Sequence, residues 1–238
     1  MFTGIIQSVA KIESIKDDSG IRTFEIQFDE GFCQDLEIGA SVAVDGVCLT
    51  VTELVSSSRV TFDIMLKSLM ITTLSEYEQG SSINVERAAK DGAEIGGHPL
   101  SGHVDFKTEL VAVNQIDDNY CIRFSLTDDW KRYVFSKGYI AINGASLTVA
   151  DVNKEQGWFE VWLIPETRRM TTFEHKVAGD SVNIEIERGT QVVVDTVRDT
   201  INESLGPLLP LFEQFLKDNG ASLDSLAQGT QQNLPKNR

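Results

Sequence analysis

The chain has 238 residues, a formal net charge of −15 and unremarkable fractions of apolar (41%) and charged (24%) residues. This length accommodates one or two globular domains. The acidity argues against nucleic acids and anionic lipids as partners, because binding them requires clustered Lys and Arg.

The sequence predicts a cytoplasmic protein. The N-terminus lacks the basic segment and apolar stretch of a signal peptide, and no apolar run approaches the ~18 residues that span a bilayer. Cys33, Cys48 and Cys121 are odd in number and widely spaced. This pattern is typical of reduced thiols rather than of a disulfide framework.

An internal duplication organises the chain. The segment Gly46–Val51 returns 98 positions later as Gly144–Val149, and Gly80–Glu86 returns 99 positions later as Gly179–Glu185. A period near 98 is too long for a solenoid repeat and has the size of a small domain. We therefore predict two related domains in tandem, and we expect any site to use the residues that differ between them.

Both repeats read as β structure. Short β-branched or alternating segments predict strands at 41–46, 47–52, 60–65 and 81–86, and again at 139–143, 159–163 and 181–185. Regularly spaced short strands indicate a barrel or a sandwich, so the fold class is all-β. Residues 128–133 could form a short helical turn because they begin with acidic residues.

The domain boundary falls where two glycines and a proline interrupt the pattern, around Gly96-Gly97-His98-Pro99. We therefore predict domains at 1–97 and 98–189, followed by a third segment at 190–238. In that segment apolar residues from Val193 to Leu216 follow helical spacing, and Pro207 and Pro210 interrupt it, which predicts two helices or one broken helix. Such a stripe packs either on its own barrel or on another copy of the chain. After Asn219 the tail is polar and predicted to be disordered.

Three sets of residues could carry chemistry. Cys48 and its counterpart Ser146 are either small core residues or a nucleophile or pocket-lining group present in one copy and muted in the other. His98 and His103 lie near the boundary, where they could bind a metal, cap a loop or transfer a proton. The segment 163–167 is either an exposed loop or a hydrogen-bonding rim over a ligand.

Several motifs together resemble the riboflavin synthase family. They are MFTGI (1–5), DGVCLTVT (45–52), NVERA (84–88), GGH (96–98) with SGH (101–103), SLTV (146–149) and IPET (164–167). The resemblance covers residues 1 to about 200.

This resemblance implies a fold and a reaction. Each repeat would be a closed six-stranded Greek-key barrel, and a C-terminal helix starting near Thr190 would join three copies into a homotrimer. One 6,7-dimethyl-8-ribityllumazine would lie in the N-terminal barrel of one subunit and a second in the C-terminal barrel of the next. One lumazine gives up a four-carbon unit and leaves as a pyrimidine, and the other becomes riboflavin. This last step of riboflavin biosynthesis needs no metal or other cofactor.

The resemblance also assigns site residues. Ser41, Cys48 and His103 would take part in proton transfer or nucleophile activation, and Phe2 would close the interface. The N-terminal pocket would contain Gly4, Ile5, Ile6, Cys48, Leu49, Thr50, Asp63, Ile64, Met65, Leu66, Lys67 and Ser68. The C-terminal pocket would contain Gly102, His103, Val104, Lys137, Ser146, Thr148, Trp162, Leu163, Ile164, Pro165, Glu166 and Thr167.

Two positions depart from the family pattern. Lys67-Ser68 stands where Glu-Thr is usual, and Glu187 stands where Asp is usual. The alternative to an enzyme is therefore a non-catalytic lumazine- or flavin-binding paralogue, like the antenna proteins of luminous bacteria. A trimeric scaffold with empty pockets is a third reading.

Overall fold

The computed structural model describes residues 1–117 and 119–219. Residues 1–190 form one compact unit, and a second unit begins at Gln191. The polar tail predicted after Asn219 lies outside the described residues.

The first repeat closes into a six-stranded antiparallel barrel, in the order β1-β2-β5-β4-β3-β6. Apolar side chains that alternate along the strands fill it, and Phe24, Phe62 and Ile83 are completely buried. A short helix, α1 (Leu66–Ile71), follows the fifth strand. The strands are β1 (Ser8–Asp18), β2 (Ile21–Gln27), β3 (Ser41–Val44), β4 (Val47–Leu54), β5 (Arg59–Met65) and β6 (Ser82–Arg87).

The second repeat closes in the same order, as β7-β8-β11-β10-β9-β12. The prediction of duplicated six-stranded barrels is therefore confirmed. A short helix, α2 (Pro165–Arg169), follows β11 as α1 follows β5, whereas residues 128–133 form turns rather than a helix. The strands are β7 (Phe106–Ile116), β8 (Asn119–Ser125), β9 (Tyr139–Ile142), β10 (Ala145–Asn153), β11 (Trp158–Leu163) and β12 (Ser181–Ile186).

Two tight hairpins meet back to back between the barrels. Asp45 and Gly46 join β3 to β4 with φ values of 42° and 81°, and Asn143 and Gly144 join β9 to β10 with 43° and 78°. Asp-Gly and Asn-Gly are the favoured pairs for a two-residue turn in which both φ values are positive. A Cβ added at Gly46 would lie 2.7 Å from the backbone N of Gly144, so the contact requires glycine.

Crossed asparagines also join the barrels. Asn84 of β6 donates to the carbonyl of Asn143 (3.0 Å) and accepts from the backbone N of Thr172 (2.8 Å). Asn183 of β12 does the same in reverse, with the carbonyl of Asp45 (2.9 Å) and the backbone N of Thr73 (2.8 Å). Each barrel therefore satisfies buried backbone groups of the other.

Asp45 gives this contact a dependence on pH. Burial raises the pKa of Asp45 from 3.8 to about 6, although the Tyr77 hydroxyl and the backbone N of Asn84 donate to its carboxylate. The corresponding Asn143 accepts from the backbone N of Asn183 at 2.7 Å without carrying a charge. The ionised form of Asp45 is therefore unfavourable in the folded protein.

We expect Asp45→Asn to raise the free energy of unfolding by about 3 kcal/mol at pH values above 6, since each pKa unit is worth about 1.4 kcal/mol. The folded pKa lies above the unfolded one, so the cost of ionising Asp45 grows between roughly pH 4 and pH 6 and then stays constant. Denaturant unfolding of both proteins near pH 4 and near pH 8 measures the gain. A gain of equal size at the two pH values would contradict this explanation.

Most of the predicted broken helix belongs to the second unit. Helix α3 (Arg188–Leu205) begins in the first unit, a 3-10 turn follows at Gly206–Leu208, and helix α4 (Leu209–Asp218) completes the described chain. The apolar stripe on α3 is exposed, with Val193, Val197 and Ile201 each more than half accessible. Among the described residues, no helix is both long and apolar enough to cross a membrane.

Candidate functional site

A cavity of about 280 Å³ opens where the two repeats meet. Part of its lining comes from the first repeat, and part comes from β10 and helix α2 of the second. The lining residues are Gly4, Ile5, Ile6, Ala145, Ser146, Glu166, Thr167, Met170 and Thr171. The cavity therefore brings together residues that the sequence analysis placed in two different pockets.

The segments that precede the first strand of each repeat are exchanged between the barrels. The backbone N of Ser146 donates to the carbonyl of Gly4 (2.8 Å), and that of Cys48 donates to the carbonyl of Gly102 (2.8 Å). Residues 4–6 therefore stand beside Ser146, and residues 102–104 stand beside Cys48. This differs from the predicted grouping, in which Gly4 shared a pocket with Cys48, because each leading segment pairs with a strand of the other barrel.

Two buried carboxylates hold these segments in place. Glu86 accepts hydrogen bonds from the backbone N of Thr3 (2.6 Å), the hydroxyl of Thr3 (2.7 Å) and the backbone N of Gly4 (3.0 Å). Glu185 accepts the equivalent three bonds from Ser101 and Gly102. Burial raises the pKa of Glu86, against the lowering effect of its bonds to Thr3 and Gly4. Neither glutamate was among the predicted site residues, although both sit in matching repeat motifs.

The predicted catalytic residues lie on strand β4 or next to it. The Cys48 residue is half-buried on β4, and His103, which follows Gly102, is exposed. Ser41 lies on the neighbouring strand β3, opposite Thr50. The structure therefore places Cys48 and the His103 segment together, with Ser41 one strand away.

The remaining predicted residues divide into buried and exposed sets. Leu49, Ile64, Val104 and Leu163 point into the barrel cores. Asp63 accepts from the Thr23 hydroxyl at 2.7 Å. The exposed residues are Ile5, Thr50, Met65, Leu66, Lys67, Lys137, Thr148, Trp162, Ile164, Pro165 and Glu166, and Ser68 and Thr167 are half-buried. Much of the predicted rim therefore faces outward.

Phe2, which the sequence analysis assigned to the interface, is buried within the single chain. Its ring is 1% exposed and packs with Ala43, Leu100 and Ala141 between the two barrels of a single chain. Its backbone pairs with Leu100 through two hydrogen bonds. Phe2 therefore fixes the leading segment within the chain.

His98, one of the two histidines noted near the domain boundary but not assigned to a pocket, lies against a residue of the cavity. Its Nδ1 lies 2.6 Å from the Ser146 hydroxyl, its ring stacks on Tyr139, and only 3% of the residue is exposed. Burial lowers its pKa, which favours the neutral imidazole. Within the described ranges, no group of three or more His, Cys, Asp or Glu side chains could hold a metal ion.

The two departures from the family pattern have different surroundings. Lys67 is exposed on α1. Glu187 accepts from the backbone N of Gly189 (2.8 Å) and of Thr190 (2.6 Å), so it caps the start of α3. Hydrogen bonds and a favourable helix terminus stabilise its charged form, and its pKa is lowered despite burial.

Comparison with known proteins identifies the family. The model of the lumazine binding domain matches the chain twice, over residues 3–88 and 101–187. The riboflavin synthase of Escherichia coli (strain K12) is 45% identical over 198 residues, covering 83% of this chain and 92% of that protein. The riboflavin synthase of Chlamydia pneumoniae is 40% identical over 204 residues, covering 86% and 98%.

Solved structures show the same fold. The crystal structure of LumP complexed with riboflavin has 25% sequence identity and a TM-score of 0.70, covering 79% of this chain and 100% of that one. The complex of LumP with 6,7-dimethyl-8-(1'-D-ribityl) lumazine has a TM-score of 0.71 at 24% identity. Together with the two domain matches and the relatives, this places the chain in the riboflavin synthase family, as a tandem pair of lumazine-binding domains.

Proposed function

We propose that this chain is a riboflavin synthase, a transferase that converts two molecules of 6,7-dimethyl-8-ribityllumazine into riboflavin and a pyrimidine. The observation that carries the proposal is a pair of equivalent positions just after the two hairpins. Cys48 on β4 is bonded to Gly102, and Ser146 on β10 is bonded to Gly4. Two such positions suit a reaction between two copies of one substrate.

The lining of the cavity supports a ligand of this kind. Ile5, Ile6 and Met170 offer apolar contact, while Ser146 and Thr167 offer hydroxyl groups. A planar heterocycle with a polyol tail needs both. Holding two such rings in contact supplies a large part of the rate acceleration, since it replaces a bimolecular encounter by a fixed geometry.

The active assembly is proposed to be a homotrimer in the cytoplasm. The exposed stripe of Val193, Val197 and Ile201 supports association with further copies. Met65 and Leu66 at one barrel and Ile164 at the other are exposed large apolar residues beside the predicted pockets, and a neighbouring barrel would cover them. The three unpaired cysteines support a reducing compartment.

A single assay tests the function. Purified protein is mixed with 6,7-dimethyl-8-ribityllumazine, and riboflavin fluorescence is followed. Turnover supports the synthase. Tight binding of an unchanged ligand supports the antenna-like alternative, which Lys67 favours because it reverses a charge near the pocket. Absence of binding overturns both and leaves the scaffold reading.

We expect His103→Ala to reduce turnover by about 100-fold, the lower end of what a general acid or base contributes, and Cys48→Ser to reduce it less. Steady-state kinetics measures both. The matched control is His175→Ala, since His175 is exposed and lies outside the proposed pockets. If His103→Ala and Cys48→Ser kept full activity while folded, the roles assigned to these residues would be wrong.

A further inference from the structure

The His98 imidazole lies behind the cavity with one nitrogen engaged and the other unpaired. Nδ1 is 2.6 Å from the Ser146 hydroxyl, and Ser146 lines the cavity. Nε2 is buried and has no hydrogen-bond partner among the described residues. The ring is fixed by stacking on Tyr139, with 5.1 Å between centroids and 16° between planes.

Close packing holds His98 against Ser146. A Cβ at Gly97 would lie 2.3 Å from the carbonyl of Thr3 and 2.6 Å from the Cβ of Ser146. The backbone N of Ser146 is already bonded to the carbonyl of Gly4. The backbone of Ser146 is therefore held in place, and its hydroxyl oxygen lies at hydrogen-bonding distance from His98. What remains to be settled is the direction of the hydroxyl proton.

The position of the proton on the His98 imidazole decides where the Ser146 hydroxyl proton points. A neutral imidazole has one N–H and one acceptor nitrogen. A proton on Nε2 would leave a buried N–H without a partner, which is rarer and more costly than an unpaired acceptor. Glu187 acts on His98 only through its charge, which opposes the lowering of the His98 pKa by burial. Its carboxylate accepts from Gly189 and Thr190, and Nε2 of His98 has no hydrogen-bond partner among the described residues. A proton on Nδ1 instead donates to the oxygen of Ser146, whose own O–H is then directed away from His98.

We propose that His98 is a positioning residue that makes Ser146 a hydrogen-bond donor to the ligand in this cavity. The ligand group it selects is an acceptor, such as a ring carbonyl or an unprotonated ring nitrogen. This inference rests on the proposed function. It adds that the Ser146 pocket presents a hydrogen-bond donor to its ligand.

Cys48, the counterpart of Ser146, differs from it in hydrogen bonding. No hydrogen bond to the Cys48 thiol is found in the described part of the chain, and a thiol is a weak donor. His98 therefore makes the two pockets chemically different: the Ser146 pocket fixes the orientation of its ring through an oriented donor, and the Cys48 pocket does not.

The first test is the protonation of His98 in the unmodified protein. The chain has three histidines, so nitrogen NMR of protein labelled with 15N-histidine gives three imidazoles, and His98→Asn identifies the signals of His98. We expect a neutral ring with the proton on Nδ1, without ligand and with lumazine bound. A proton on Nε2, or a charged ring at neutral pH, would overturn the inference whether or not the protein turns over substrate.

The second test separates positioning from structural support. His98→Phe removes the donor, and we expect the Kd for the lumazine to rise about tenfold, with a larger effect on KM than on kcat. His98→Asn keeps an N–H that can reach Ser146, and its Kd should stay within about threefold of the unmodified protein. Equal loss in both variants, each shown by thermal unfolding to be folded, would mean that the ring only fills space.

The third test asks whether His98 acts through Ser146. Ser146→Ala and the double variant with His98→Phe should bind the lumazine equally, because the histidine has nothing left to orient. If the two losses multiplied, His98 would act on the ligand by another route and the inference would fail. Direct binding decides this even for a protein without turnover, so failure here is distinct from failure of the proposed function.

Discussion

Glu86→Ala is expected to lower the free energy of unfolding by about 5 kcal/mol, because hydrogen bonds to a charged group contribute about 1.5–3 kcal/mol each. The substitution removes three bonds and leaves two backbone N–H groups unpaired, that of the half-buried Thr3 and that of the buried Gly4. The leading segment that contains Gly4 would then move away from Ser146, and the cavity would lose part of its lining. Lumazine turnover should therefore fall together with stability.

Glu86→Gln is the matched control, because it keeps one acceptor oxygen and the shape of the side chain. We expect it to lose less than half as much stability as Glu86→Ala. Denaturant unfolding measures both. An alanine variant as stable as the unmodified protein would show that Glu86 does not anchor the segment.

The second large effect is expected for Gly46→Ala, about 4 kcal/mol of destabilisation. A residue with a side chain costs about 1–2 kcal/mol in the left-handed conformation that Gly46 adopts. Its Cβ would also be 2.7 Å from the backbone of Gly144, and overpacking in a core costs a further 1–3 kcal/mol, roughly.

Gly80→Ala isolates the conformational contribution. Gly80 has a φ of 89°, and nothing lies within 4 Å of an added Cβ. This variant should lose only the conformational part, about 1–2 kcal/mol. Gly144→Ala should resemble Gly46→Ala, since its Cβ would be 2.9 Å from the backbone N of Gly46. Equal losses in Gly46→Ala and Gly80→Ala would show that the hairpin contact is not tight.

The repeats and the strands could be predicted because their signals are local. Asp45-Gly46 and Asn143-Gly144 specify hairpin turns by their conformational preferences alone, and alternating apolar residues specify the strands on either side. The broken helix after residue 190 was predicted for the same reason, from helical spacing interrupted by Pro207 and Pro210.

The composition of the pockets could not be predicted in this way. A repeat alignment shows that Gly4 and Gly102 are equivalent, but it does not show which barrel each one joins, since either pairing preserves the symmetry. His98 lies outside the repeated strands, so no counterpart marks it. The adjacent Gly96-Gly97 was interpreted as a domain boundary and as part of a family motif, and neither reading shows that Gly97 allows the chain to approach Ser146 closely.

The reciprocal bonds of Asn84 and Asn183 have a thermodynamic consequence. Each barrel supplies hydrogen-bond partners to buried backbone groups of the other, so unfolding one barrel would leave such groups unpaired in the other. We therefore expect both barrels to unfold in a single calorimetric transition. Because the side chains of Asn84 and Asn183 bond across the contact between the barrels, a substitution at either position would require a compensating substitution in the other barrel.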